Sequence, residues 1–146
     1  MMIPIASDHA GYKAKEYVKK VLEDLGHMPI DFGTHSEDSV DYADFAVQVA
    51  QDIRDGNHEL GILICGSGQG MCMTANKYHH IRAGLVYDKH SAEMTRRHNN
   101  ANILCLPGRQ LNEDELKEIV TTWLNTEFEG GRHERRIKKI DTLTDN

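Results

Sequence analysis

The chain has 146 residues, of which 39% are hydrophobic and 27% are charged, and its formal net charge is −6. This length fits one domain around one hydrophobic core, and the composition is typical of folded proteins. The acidic balance argues against a general nucleic-acid-binding protein, because that function needs a broad basic surface that displaces counterions. Any site for an anionic ligand must therefore be built locally.

The sequence also disfavours secretion, membrane insertion and a disulfide framework. The first residues contain neither a basic leader nor an apolar run of signal-peptide length, and no later segment is apolar enough to span a bilayer. Cys65, Cys72 and Cys105 are odd in number and form no CxxC pair, which favours reduced thiols over disulfides or a zinc site. We therefore expect a cytoplasmic protein without membrane contacts.

Short apolar runs alternate with amphipathic segments along the whole chain. The apolar runs predict strands over residues 3–7, 28–33, 60–65, 81–87 and 103–107. The segments that follow them predict helices over residues 12–25, 41–53, 70–78, 90–97 and 112–124. Five strand–helix units in succession predict a parallel sheet with helices on both faces.

The predicted fold class is α/β, a Rossmann-like three-layer sandwich with a five-stranded parallel sheet. One domain is expected over residues 1–146, in which Gly130-Gly131 leads into a basic C-terminal helical tail. In this architecture ligands bind at the carboxyl ends of the strands. Candidate site residues are therefore sought directly after each predicted strand.

Cys65 ends the third predicted strand and precedes a glycine-rich turn, with Gly66, Gly68 and Gly70 at alternate positions. Backbone N–H groups in such a turn can converge on an anion, and the dipole of the following helix is expected to lower the pKa of Cys65. A thiolate there is a competent base or nucleophile. The alternative is that Cys65 is a small buried hydrophobe and that the glycines only make a tight turn.

Polar residues that follow the first and fifth strands are further candidates. Asp8 and His9 come directly after the first strand, so both are expected in the same crevice as Cys65. Arg109 follows the fifth strand and is placed to reach an anion there. A structural or solvated histidine is the alternative for His9, since the chain contains nine histidines.

Two other groups of residues are less well explained by position. Arg132 and Arg136 lie four residues apart, so on a helical tail they share one face and can clamp a phosphate. A solvated basic face is the alternative. His98 and Asn99 close the fourth helix, so the topology places them at the amino end of a strand, and geometry alone gives them no role.

Taken together, these motifs resemble one known family, ribose-5-phosphate isomerase type B, with the galactose-6-phosphate isomerase subunits as near kin. The likeness covers nearly the whole chain. It is carried by residues 7–11 (SDHAG), 41–42 (DY), 64–70 (ICGSGQG), 75–77 (ANK), 98–102 (HNNAN), 108–109 (GR) and 129–136 (EGGRHERR). The departures are small: Pro4 lies in the first strand, Ser67 stands where the family commonly has threonine, and Ala43 where a proline often follows the Asp-Tyr pair.

The resemblance implies that Cys65 removes the C2 proton of an open-chain aldose, giving a cis-enediolate that is reprotonated at C1. Ser67 keeps the hydroxyl group that would relay a proton between the two oxygens. The groups implied to bind the enediolate oxygens are Gly66, Ser67, Gly68, Gln69, Gly70 and Asn99.

The same resemblance implies that His98 opens the furanose ring as an acid, with Asp8 nearby. The residues implied to hold the phosphate are His9, Arg109, Arg132 and Arg136. No metal or organic cofactor is implied, because aldose–ketose isomerisation moves protons without net redox change. The family forms homodimers whose active site lies at the subunit interface, so we expect a homodimer, or a tetramer built from it, with the tail contacting the partner.

The function implied is the interconversion of ribose 5-phosphate and ribulose 5-phosphate in the non-oxidative pentose phosphate pathway. His98 and the pair Arg132 and Arg136 favour this reaction over that of the galactose-6-phosphate kin, which tend to lack the complete set. The alternatives are an isomerase of allose 6-phosphate or galactose 6-phosphate, and a non-catalytic phosphate-binding module in which Cys65 is only packing.

Overall fold

The computed structural model describes residues 1–144, so the last two residues of the predicted domain lie outside the described part. The strands are β1 (Met2–Ser7), β2 (Met28–Asp31), β3 (Gly61–Cys65), β4 (Ala83–Leu85) and β5 (Ile103–Pro107). The helices are α1 (Tyr12–Asp24), α2 (Tyr42–Arg54), α3 (Gln69–Ala75), α4 (Lys89–Arg97), α5 (Glu113–Leu124) and α6 (Arg132–Thr142). Every predicted strand and helix is present, and the tail forms α6.

The five strands form one parallel sheet in the order β2-β1-β3-β5-β4. Side chains alternate between its faces, as β3 shows: Ile62 and Ile64 pack in the core with α1, α4 and α5, while Leu63 and Cys65 pack in the core with α2 and α3. Both faces are covered, and β3 is buried along its whole length. The predicted α/β three-layer fold is confirmed.

The strand order decides where a crevice can form. β1 and β3 are neighbours, but the helices that follow them, α1 and α3, pack on opposite faces of the sheet. The chain segments after these strands therefore diverge at the carboxyl edge of the sheet, which is where such folds place their ligand cleft. Asp8 follows β1 and Cys65 ends β3, so both lie at this cleft.

The predicted bounds of the fourth strand and third helix are too long. β4 lies at the edge of the sheet and pairs with β5 alone, over three residues. Before β4, the backbone N–H of Arg82 donates to the Asn102 side chain at 2.8 Å. Helix α3 already ends at Ala75, and His80, in the irregular segment that leads to β4, has a positive φ of 67°.

A buried lysine ties α1 to the end of β2. Lys15 is fully buried, and its Nζ donates to Asp31 Oδ1 and to the Thr34 carbonyl oxygen, each at 2.6 Å. Asp31 also accepts from Lys19 at 2.9 Å and from the Gly33 amide at 2.8 Å. Burial opposes ionisation of Asp31, but the hydrogen bonds from Lys15 and Lys19 outweigh it, so the pKa of this carboxyl group is lowered.

None of the helices within residues 1–144 is long and apolar enough to cross a lipid bilayer.

We expect Lys15→Met to lower the free energy of unfolding by about 3 kcal/mol, at the lower end for a broken buried ion pair. Lys19 still pairs with Asp31 in this variant, which limits the loss. Lys20→Met, at an exposed position of the same helix, is the matched control and should change stability by no more than about 0.5 kcal/mol. Urea denaturation measures both. Equal stability of the two variants would contradict an anchoring role for Lys15.

Candidate active site

Cys65 lies at the carboxyl end of the central strand β3 and is only 4% exposed. The chain then turns through Gly68, whose φ of 77° favours glycine, and α3 begins at Gln69. A Cβ atom on Gly68 would come within 2.7 Å of a Leu85 methyl group, so the turn has no room for a side chain there. This tight turn brings the backbone amides of residues 68, 70 and 71 to the Cys65 thiol.

Burial decides the protonation of Cys65. Loss of water around the thiol raises its pKa, and the charge of Asp8 raises it further. The backbone amides of Met71, Gly68 and Gly70 act in the opposite direction but do not prevail, so the net pKa is raised. The expectation that the helix start lowers this pKa is therefore wrong in net direction. The thiol is protonated at neutral pH in the free protein.

The loop after β1 is held against β3 beside Cys65. The Asp8 amide donates to the Ile64 carbonyl oxygen at 3.3 Å, and Asp8 Oδ1 accepts from the Gly11 amide at 3.0 Å. A Cβ atom on Gly11 would lie 2.3 Å from that Ile64 oxygen, so only glycine allows the loop to approach so closely. Asp8 is 7% exposed and is thereby fixed at the cleft.

His9 and Arg109 complete the polar rim of the same edge. The Nδ1 atom of His9 accepts from the Val40 amide at 3.1 Å, which leaves Nε2 as the proton-bearing nitrogen of the neutral ring. The Arg109 amide donates to the Gly66 carbonyl oxygen at 3.2 Å, and the Arg109 side chain passes beside Gly66. These contacts place His9 and Arg109 at the carboxyl edge with Cys65.

Exposed side chains lie on the glycine-rich turn and against it. Ser67 and Gln69 are both exposed, and Ser67 Oγ accepts from the Gln69 amide at 3.3 Å. The Tyr42 ring lies against Gly70, where it would block a side chain, and Tyr42 is 46% exposed. Tyr42 belongs to a motif noted in the sequence, but sequence reasoning assigned it no part in the site.

His98 and Asn99 lie at the opposite edge of the sheet. Helix α4 starts after the carboxyl end of β4 and runs back, so the residues after it reach the amino edge. The Asn102 carbonyl oxygen accepts from the amide of Gly61, the first residue of β3, at 2.9 Å. Since β3 has five residues, this edge is about 15 Å from that of Cys65. A cavity of about 390 Å³ opens there beside Asn99, between β4 and α6.

Helix α6 packs beside His98. The His98 ring stacks on that of His133, with ring centroids 4.3 Å apart and planes inclined by 15°. Arg132 and Arg136 are exposed residues of the same helix. The predicted site residues therefore fall into two groups within one chain. Cys65, Asp8, His9, Arg109 and the turn share one edge, and His98, Asn99, Arg132 and Arg136 share the other.

Glu129 and His133 lie beside His98, and sequence reasoning gave neither of them a role. Glu129 accepts from Arg97 at 3.0 Å, and this hydrogen bond is the main reason why its pKa is lowered. Burial, followed by the charges of His98 and Arg132, lowers the pKa of His133. The sequence shows the two glycines before α6 but not the direction in which the chain turns there, which brings Glu129 and His133 beside His98.

Comparison with known proteins supports the resemblance noted in the sequence. A family model described as Ribose/Galactose Isomerase matches residues 3–140. The chain is 51% identical to a ribose 5-phosphate isomerase of known structure from Thermotoga maritima, with a TM-score of 0.94 and 97% of each chain covered.

Two further relatives differ in what their names say about substrate. A ribose-5-phosphate isomerase B from Mycoplasma genitalium, solved with bound ribulose-5-phosphate, is 42% identical, with a TM-score of 0.93, covering 97% of this chain and 95% of that one. A D-erythrulose-4-phosphate isomerase from Pectobacterium atrosepticum is 37% identical, covering 96% of this chain and 93% of its own.

We expect iodoacetamide to alkylate Cys65 more slowly than the half-buried Cys72 at neutral pH, because Cys65 is almost fully buried and its pKa is raised. The rate at Cys65 should rise with pH and give an apparent pKa above the ordinary cysteine range. Mass spectrometry of the modified peptides measures each rate. The urea-unfolded protein is the control, in which the cysteines should react alike. An apparent pKa below the ordinary range would contradict the dominance of burial.

Proposed function

The chain belongs to the ribose/galactose isomerase family and is a sugar-phosphate isomerase, and we propose that it interconverts ribose 5-phosphate and ribulose 5-phosphate. The observation that carries the proposal is the Cys65 thiol, held at the cleft with three backbone amides around it. A pair of relatives from Thermotoga maritima and Mycoplasma genitalium supports the choice of substrate, since both are named for this reaction. The reaction would serve the non-oxidative pentose phosphate pathway.

In the proposed mechanism the Cys65 thiolate takes the C2 proton of the open-chain aldose and returns a proton to C1. The enediolate formed between these steps carries negative charge on its oxygens. Backbone amides in the turn from Gly66 to Gly70 stabilise that charge, and the Ser67 hydroxyl relays a proton between the two oxygens. Because the pKa of Cys65 is raised, the thiolate is a stronger base once formed, at the cost of a smaller ionised fraction at rest.

The second group of residues would complete the site of a second copy of the chain. His98 and Asn99 lie about one strand length from Cys65 in the same chain, too far for both groups to touch one sugar. In a homodimer with two-fold symmetry, the amino edge and α6 of one copy would face the Cys65 cleft of the other. His98 would then open the furanose ring as an acid near the partner copy's cleft, and Asn99 would bind an enediolate oxygen.

Phosphate binding would be shared across the same interface. His9 and Arg109 lie at the Cys65 cleft, and the exposed Arg132 and Arg136 project from α6. Guanidinium groups four residues apart on one helix face match the bidentate geometry that phosphate oxygens favour. With both pairs around one phosphate, basic side chains would be concentrated at the phosphate site of a protein whose net charge is negative.

The second candidate is an isomerase of another sugar phosphate, with allose 6-phosphate and galactose 6-phosphate as the hexose substrates. A relative named D-erythrulose-4-phosphate isomerase supports this second candidate, because that relative is 37% identical to the chain and yet is named for a different sugar. The alternative of a non-catalytic phosphate-binding module is set aside, because the family consists of isomerases.

We expect the purified protein to convert ribose 5-phosphate to ribulose 5-phosphate faster than it isomerises either hexose phosphate, with solvent deuterium entering the substrate. Cys65→Ala should lose about 10²–10⁴-fold in kcat, the usual contribution of a general base. Cys72→Ala is the matched control, since Cys72 lies outside the proposed reaction. Coupled spectrophotometric assays of the three substrates measure these rates. Undiminished turnover in Cys65→Ala would remove Cys65 as the base, and preference for a hexose phosphate would replace the substrate.

A complementation experiment tests the shared site. Cys65→Ala and His98→Asn chains are each expected to be nearly inactive, but unfolding and refolding an equal mixture should restore activity. Half of the dimers would then be mixed, each with one intact site, so about one quarter of the wild-type activity is expected. No recovery, in a mixture that native mass spectrometry shows to contain mixed dimers, would place Cys65 and His98 in the same chain's site.

A further inference from the structure

We propose that His98, Glu129 and His133 form a binding site for a divalent transition-metal ion, with Zn²⁺ as the best match. One imidazole nitrogen from each histidine and one carboxylate oxygen all lie within 4.8 Å of one another. The three side chains come from the end of α4, the segment before α6 and the first turn of α6. Within one chain this site lies at the opposite edge of the sheet from Cys65, whereas in the proposed dimer His98 would face the partner copy's cleft.

A second observation, the buried nitrogen of His133, also points to a ligand here. His133 is 7% exposed, and its Nε2 has no hydrogen-bond partner among residues 1–144. The nearest carboxylate oxygen, Glu129 Oε1, is 3.7 Å away, which is too long for a hydrogen bond. Buried polar atoms are normally paired, because an unpaired one costs free energy. An ion between His133 and Glu129 would satisfy this nitrogen.

The donor set selects the class of ion. Two imidazole nitrogens and one carboxylate oxygen are typical zinc ligands, whereas Mg²⁺ and Ca²⁺ prefer oxygen ligands alone. Glu129 Oε1 lies 3.7 Å from His133 Nε2, while the other oxygen, Oε2, lies 3.8 Å from His98 Nε2. Ligand atoms around a tetrahedral zinc ion are about 3.3 Å apart, so the distance from Oε1 to His133 needs to shorten little, and the His98 nitrogen must move closer. Three protein ligands leave the fourth position open for water.

The two histidines need one adjustment to share an ion. Their rings are stacked nearly parallel, so their nitrogen lone pairs do not yet converge. His98 follows the last residue of α4 and its side chain is 40% exposed, so its ring has room to tilt, while His133 is held by burial. A tilt of the His98 ring would direct both Nε2 atoms at one point beside Glu129 Oε1.

Positive charges near the proposed site weaken the binding of a metal ion, so we expect the ion to bind reversibly. Arg97 donates to Glu129 Oε2 at 3.0 Å, which orients the carboxylate and leaves Oε1 for the ion but also partly neutralises it. Arg132 and Arg136 lie close enough for their charges to lower the pKa of His133. These three cations repel a metal ion, so we expect weaker binding than at a structural zinc site.

A consequence for the reaction rests on the proposed function. If His98 is the acid that opens the sugar ring, a metal ion on its Nε2 leaves that nitrogen no proton to donate. Zn²⁺ would then inhibit the reaction with cyclic substrate, and a chelator would restore it. The binding itself depends only on the geometry of the three side chains and can be tested without any assay of activity.

The binding test is calorimetric titration of the full-length protein with Zn²⁺. One ion per chain is expected for the wild type, and His133→Gln and Glu129→Gln should each weaken binding by at least about tenfold. His79→Gln is the matched control, because His79 Nε2 is also buried without a hydrogen-bond partner among residues 1–144 but lies outside the cluster. Since Glu129 is 44% exposed, its variant keeps the test valid if His133→Gln does not fold.

The absorption spectrum with Co²⁺ shows whether the metal ion binds to this cluster or to the cysteines. A cobalt spectrum without sulfur-to-metal charge-transfer bands is expected, because no thiol takes part. Thiolate bands, or affinity for Zn²⁺ that is unchanged in both His133→Gln and Glu129→Gln, would overturn the proposed site.

The inhibition test measures ribose 5-phosphate turnover with and without Zn²⁺, followed by a chelator. Inhibition should be weaker in His133→Gln than in the wild type and unchanged in His79→Gln. Equal inhibition of His133→Gln and wild type would mean that zinc acts elsewhere and would overturn this consequence. A metal-free wild type that does not isomerise ribose 5-phosphate would refute the proposed function, while the calorimetric result would still decide the metal site.

Discussion

The close approach of three chain segments at one edge of the sheet is the constraint on which the candidate site depends. The segments after β1, β3 and β5 meet around Cys65 through backbone hydrogen bonds that include Asp8 to Ile64 and Gly108 to Cys65. Gly11 and Gly68 stand where a side chain would collide with the neighbouring segment. These contacts place a carboxylate, a thiol and several amides together at the end of a strand that is otherwise wholly apolar.

Burial and backbone amides compete at the Cys65 thiol. Burial alone would leave little of the cysteine as thiolate, because the thiolate loses its solvation. The amides of residues 68, 70 and 71 partly replace that solvation, and in the proposed mechanism amides of the same turn also stabilise the negative charge of the enediolate. The same turn can therefore serve both the thiolate, once it forms, and the charged intermediate of the proposed mechanism.

The direction of α4 divides the site residues between the two edges of the sheet. A helix that returns to start the next parallel strand must end at the amino edge, so His98 and Asn99 cannot lie beside Cys65 in one chain. The division gives the basic helix α6 a function in a proposed dimer. It also brings Glu129 and His133 beside His98, where the three side chains form the proposed metal site.

The sequence by itself determined the local features of this protein. Apolar runs predict each strand, helical spacing predicts α1 to α5, and the glycines after Cys65 predict the tight turn, because these patterns depend on residues close together in the chain. The same patterns already placed His98 at the amino end of a strand, away from Cys65, whereas only the tertiary structure decided the strand order and the contact of His98 with His133. The tertiary structure also raises the pKa of Cys65, where the sequence predicted a lowered one. Burial depends on neighbours from distant segments, whereas the helix start is a local feature that the sequence shows.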